Sequence, residues 1–134
     1  MQSPMSAYML NLGLESLHVR MQRHCENGMA VAKFLESHPK VAYVNYCGLE
    51  SSPYHALARK YLPNGSCGVV SFGLAGGREA ARTCCLNPAS STHRQMNDEQ
   101  LRAAGVPAEL VRMSCGLESS EDLIADIAQA LDQI

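Results

Sequence analysis

Apolar residues recur at three- and four-residue steps through the first third of the chain. Met5, Met9 and Leu12 form one series, and Leu10, Leu14, Leu17 and Met21 form another. Val31, Phe34 and Leu35 continue an apolar face further on. The spacing predicts helix from Ser3-Pro4, a serine cap followed by proline at the first helical position, as far as Pro39. A helix of that length bends somewhere, and Gly13 and Gly28 are the expected places. Met5–Leu17 is apolar on more than one face. A small domain cannot bury all of that surface against its own core, so residues 1–20 are expected to pack against another domain or subunit.

After Pro39 the pattern shortens. Val41–Tyr46 reads as a strand ending at the turn Cys47-Gly48, and Tyr54–Tyr61 as a short helix closed by Pro63-Asn64-Gly65. Gly68–Leu74 is a second strand, and Gly76-Gly77 turns the chain into the helix-like Arg78-Glu79-Ala80-Ala81. Thr83-Cys84-Cys85-Leu86 then resumes a strand-like run, with only a few residues for the helix in between. Helix chemistry with no room for a helix predicts a missing segment near residues 80–82. Asn97–Leu101 opens a short helix ending at Gly105, and residues 110–115 form a last strand. Ser119 or Ser120 with Glu121 and Asp122 caps a final helix, Asp122–Ile134, whose stripe is Leu123, Ile124, Ile127 and Leu131. The expected architecture is α/β: one domain over residues 1–134, with a sheet of about four strands (near 41–46, 68–74, 83–86 and 110–115) and helices packed on one face.

Composition narrows the function classes. The chain has 134 residues, 46% of them apolar, and a formal net charge of −2. That fits one ordered domain and leaves no electrostatic footprint for nucleic acid or an anionic membrane. No apolar run approaches a membrane span, and Met1-Gln2-Ser3-Pro4 has no basic region followed by a hydrophobic core, so a secretion signal is not expected. The six cysteines include no Cys-x-x-Cys pair, and neither they nor the five histidines show metal-ligand spacing. They read as reduced, core-type thiols of a cytoplasmic protein, with no metal site.

Among the chemically competent residues Arg112 stands out. It sits between Leu110, Val111, Met113 and Cys115 in a strand that reads as buried. A buried guanidinium needs either a structural carboxylate, such as Glu109, Glu118 or Asp122, or a carboxylate that arrives with a ligand. His93 reads more simply as a loop histidine satisfying backbone groups, Gly76-Gly77 as a turn, and Cys115 as a core thiol. Tyr43, Tyr46 and Tyr54 read as core and rim residues.

Four stretches in one order carry a more specific signal: "NLGLESLHVRMQRHCENGMAVAKFLESHPKVAYVNYCGLES", "GVVSFGLAGGREAA", "NPASSTH" and "LVRMSCGLESSEDLIADIAQAL". Together they resemble the C-terminal part of the Cys/Met-metabolism pyridoxal-phosphate enzymes, of aspartate-aminotransferase-like fold. The text is most similar to the O-acetylhomoserine sulfhydrylase branch, with cystathionine γ-lyase and methionine γ-lyase beside it. The resemblance implies the small C-terminal domain of that fold, preceded by a long kinked helix. It also implies a pyridoxal 5′-phosphate cofactor that acts as an electron sink while the γ-substituent of an amino-acid substrate is replaced by a thiol or sulfide. The implied setting is a cytoplasmic homo-oligomer, with an N-terminal cofactor-binding domain as partner.

The same resemblance carries Arg112 onto the arginine that binds the substrate α-carboxylate, and Thr83 onto a serine that helps hold it. Arg82, Asn87 and His93 fall on the implied pocket rim, with Asn87 standing where the family has histidine. Relatives have a longer segment between Gly77 and Arg82, in agreement with the shortened helix. The cofactor's lysine, its pyridine-nitrogen aspartate and the phosphate-binding residues belong to the N-terminal domain. Lys33, Lys40 and Lys60 are the chain's lysines, and none has the desolvated setting such a lysine needs. No catalytic residue is therefore expected here. Other readings are a fragment of a γ-lyase, or a non-catalytic amino-acid-binding or dimerisation module.

Overall fold

The structure, a computed structural model, describes residues 2–84 and 107–134, with the side chains of Arg82, Thr83 and Cys84 excepted. Helix α1 spans Pro4–Glu15. Its Ser3 cap accepts a hydrogen bond from the Ser6 amide at 3.2 Å. Helix α2 spans Leu17–Ser37, and the break between the two lies at Ser16. Neither expected glycine makes it. Arg20 stabilises the break by donating to the Gly13 carbonyl at 2.6 Å and to Ser16 Oγ at 3.1 Å, which satisfies groups that helix ends leave open. Gly28 lies inside α2 for a different reason. A Cβ there would stand 2.6 Å from the Cys67 carbonyl oxygen, so only glycine lets the helix approach the segment leading into the sheet.

Strands β1 (Val41–Asn45), β2 (Val69–Leu74) and β3 (Leu110–Ser114) form one antiparallel sheet in that order. Helix α3 (His55–Tyr61) lies in the β1–β2 connection. Helix α4 spans Gly77–Cys84 and α5 spans Ser120–Asp132. The expected strand near 83–86 is not supported where it can be judged, since residues 83 and 84 continue α4. The helix has a tertiary reason to continue. Gly77, at φ +69°, turns the chain so that Ala80 and Ala81 bury against the sheet, and that burial outweighs a weak local preference. The expected helix after Asn97 lies outside the described residues.

Helices α2, α4 and α5 pack on one face of the sheet. Val31, Ala32 and Leu35 of α2, Ala80 and Ala81 of α4, and Ile127 and Leu131 of α5 meet Val70, Phe72, Leu74 and Val111 in one core. Val44 and Met113 pack against its edge. Helix α1 buries nothing. Met5, Tyr8, Met9, Leu10, Leu12 and Leu14 are all more than half exposed, as expected for a helix that the domain's own core cannot cover.

Candidate functional site: the open face of the sheet

Side chains alternate across a strand, so the core positions also define the opposite face. Val111 and Met113 point to the helices, and Leu110, Arg112 and Ser114 therefore point away. The register places Arg112 opposite Ser71, and Ser71 opposite Asn45. The next row on the same face is Tyr43, Gly73 and Leu110. Tyr43 lies across Gly73, where a Cβ would come within 2.2 Å of its ring. Its hydroxyl is buried without a hydrogen-bond partner among the described residues. Burial, then the nearby Glu109 carboxylate, raises its pKa above the ordinary 10.0.

This corrects the sequence expectation for Arg112. The residue is exposed, although its sequence neighbours Val111 and Cys115 are buried. The apolar neighbours belong to the other face, so no desolvation penalty forces a partner on it. None of the expected carboxylates takes it either: among the described residues Arg112 forms no ion pair or hydrogen bond. A planar guanidinium with no partner among the described residues thus stands at the end of a polar row, an arrangement that can accept a carboxylate bidentately. Ser71 and Asn45 escape a sequence reading because their relation to Arg112 depends on register. Alternation within β1 and β2 is the signal that could have raised them.

The other expected site residues separate. Arg82 and Thr83 lie on the last turn of α4, so Thr83 is not on a strand beside Arg112. Asn87 and His93 lie outside the described residues. Cys115 is the buried thiol expected of it, its pKa raised by burial and then by Glu118 and Cys67. Tyr46 is a core residue whose hydroxyl donates to the Cys67 carbonyl at 2.8 Å, whereas Tyr54 is exposed.

The strand that carries Arg112 is fastened from the helix side. Beyond β3 the Cys115 amide donates to the Gly68 carbonyl at 2.7 Å. His24 Nδ1 meets the Cys115 carbonyl at 2.7 Å. Asn27 Nδ2 donates to the Gly116 and Glu118 carbonyls, both at 2.9 Å, and Arg23 reaches the Glu118 carbonyl at 3.2 Å.

The described residues do not fit a covalently held cofactor. Lys33 and Lys60 are exposed. Lys40 is spent on the carbonyl of Leu131, at 2.8 Å, near the end of α5. Among the described residues no three His, Cys, Asp or Glu side chains gather as a metal site. No helix there is long and apolar enough to cross a membrane.

Comparison with known proteins places the chain. The family profile described as Cys/Met metabolism PLP-dependent enzyme matches residues 1–87 and 80–132. Homocysteine synthase of Schizosaccharomyces pombe is 43% identical over 97% of this chain and 35% of its own length. L-methionine gamma-lyase of Fusobacterium nucleatum subsp. polymorphum is 39% identical over 98% of this chain and 38% of its own. The crystal structure of an O-acetylhomoserine (thiol)-lyase from Campylobacter jejuni, which carries N′-pyridoxyl-lysine-5′-monophosphate, superposes with a TM-score of 0.87. It is 40% identical and covers 96% of this chain and 35% of that one. The chain thus spans little more than a third of the length of these relatives, and it belongs to the Cys/Met metabolism PLP-dependent enzyme family.

Proposed function

We propose that this chain is the C-terminal part of a pyridoxal-phosphate-dependent sulfhydrylase that makes homocysteine-type amino acids from O-acetylhomoserine by γ-replacement. Its role is to present the substrate-carboxylate site, with no catalysis of its own. The observation that carries this reading is Arg112, exposed and unpaired among the described residues, on a polar row that faces away from the core. The cofactor, when bound, supplies the electron sink. Its covalent lysine is expected in the part of the protein that precedes this domain, because the lysines here are exposed or already committed.

The exposed apolar helix α1 supports an interdomain role for residues 1–20. A missing segment near residues 80–82 is supported by two features. The family profile matches in two pieces that overlap at residues 80–87, and the alignment to the yeast enzyme runs over 149 positions against 134 residues here. Thr83, Arg82, Asn87 and His93 stay assigned to the pocket only through resemblance. The assembled enzyme is proposed to be a cytoplasmic homo-oligomer, in keeping with the free thiols at Cys25, Cys47, Cys67 and Cys115.

The test uses the full-length protein. Arg112→Ala should raise KM for O-acetylhomoserine by about two orders of magnitude while the cofactor stays bound. An unchanged KM overturns the assignment. A γ-lyase parent, the alternative favoured by the 39% identity to methionine γ-lyase, is recognised by its product: a 2-oxo acid and ammonia, formed without added sulfide.

A further inference from the structure

We propose that Asn27 is a positioning residue for Arg112, holding the strand that carries the substrate-binding cation; this rests on the reading of Arg112 given above. Among the described residues β3 pairs with β2 alone, so its register and tilt are fixed from one side. A one-residue slip would turn Arg112 into the core and Val111 out of it. A restraint at the strand's exit resists that slip.

Asn27 is built for this restraint. It is fully buried on α2, and both of its close contacts are carbonyl oxygens, so its amide nitrogen faces them. One NH2 group spans the turn by holding the carbonyls of Gly116 and Glu118. Its own Oδ1 has no hydrogen-bond partner among the described residues. A residue kept only to fill the core would avoid that desolvation cost, so the position is held for its donor end. The strand exit runs close to α2: a Cβ at Gly68 would stand 3.0 Å from His24 Cβ. His24 adds a second hold at the Cys115 carbonyl. The two side chains act on the backbone three to six residues beyond Arg112, where the chain leaves β3.

The experiment is steady-state kinetics of the full-length holoenzyme with O-acetylhomoserine as the probe. Asn27→Ala should raise KM about tenfold and change kcat less than about threefold, the signature of a displaced binding group. In an Arg112→Ala background, Asn27→Ala should add nothing further to KM, because its effect passes through Arg112. If Asn27→Ala fails to fold, the His24 pair decides. His24→Leu should raise KM several-fold, and His24→Asn, which keeps a donor near the place of Nδ1, should restore it. Wild-type KM in Asn27→Ala or His24→Leu overturns the proposal, as does an Asn27→Ala effect that persists undiminished without Arg112. If Arg112→Ala itself leaves KM unchanged, the carboxylate reading falls first and this one with it.

Discussion

Arg112 pairs with Ser71 across the β2–β3 ladder, and among the described strands the guanidinium-bearing one lies at the edge and the hydroxyl-bearing one in the centre. Opposite residues in an antiparallel pair stand close enough to act on one ligand group. The arginine therefore has a hydroxyl as its register neighbour on the open face, and an amide, Asn45, one strand further.

Ser71 should accordingly contribute to substrate binding without being needed for folding. In the full-length protein, Ser71→Val suits a strand and should leave the melting temperature within a few degrees, while KM for the amino-acid substrate rises about three- to tenfold. Steady-state kinetics beside thermal unfolding checks both halves. A KM equal to wild type would leave Ser71 as a spacer only.

Two glycines that looked alike in sequence should respond in opposite ways. Gly28→Ala drives a Cβ against the Cys67 carbonyl and should cost about 1–3 kcal/mol. Gly13→Ala meets open space in a helix and should gain about 0.5–1 kcal/mol. Urea midpoints for the two variants decide the matter, and a shared sign would contradict the packing described here.

Alkali should weaken the domain through Tyr46. Burial pushes its pKa up from 10.0 to about 12. The unfolded chain releases this proton first, so the stabilisation is complete below pH 10 and is lost as pH rises through 12. Cys25 and Cys115, both raised above 9.0 by burial first, act in the same direction from about pH 9. Urea midpoints between pH 8 and 11.5 should fall for the wild type and fall less for Tyr46→Phe. That variant should also lose about 1 kcal/mol at neutral pH with its hydrogen bond to Cys67. Equal pH slopes in the two proteins would remove Tyr46 from the explanation.

Helix α1 should govern association rather than fold stability. Leu10→Lys with Leu14→Lys alters exposed side chains only. The 134-residue chain carrying both should self-associate less in sedimentation, with its melting temperature within a few degrees of wild type. A drop of ten degrees would show that α1 packs on the domain's own core.

The sequence by itself determined the elements that period and composition control. The helical character before Pro39, the strands around 41–46, 68–74 and 110–115, the last helix and an apolar α1 with no core to cover it were all legible. A repeat of apolar residues is a local property, and the family resemblance singled out Arg112 as the proposed carboxylate binder. What the tertiary structure decided was everything that depends on which surfaces meet. Arg112 read as buried because its sequence neighbours are apolar, yet a strand sends neighbours to opposite faces, and only the position of α2, α4 and α5 shows which face is covered. Gly28 read as a kink because glycine is flexible, whereas its use is to admit the Cys67 carbonyl. Residues 83 and 84 read as strand until the burial of Ala80 and Ala81 made helix the better local state. Asn27, unremarked in the sequence, took on its role only when the fold brought Gly116 and Glu118 to it from the other end of the chain. Propensity and periodicity act over a few residues, whereas burial, register and close approach depend on partners far away in sequence.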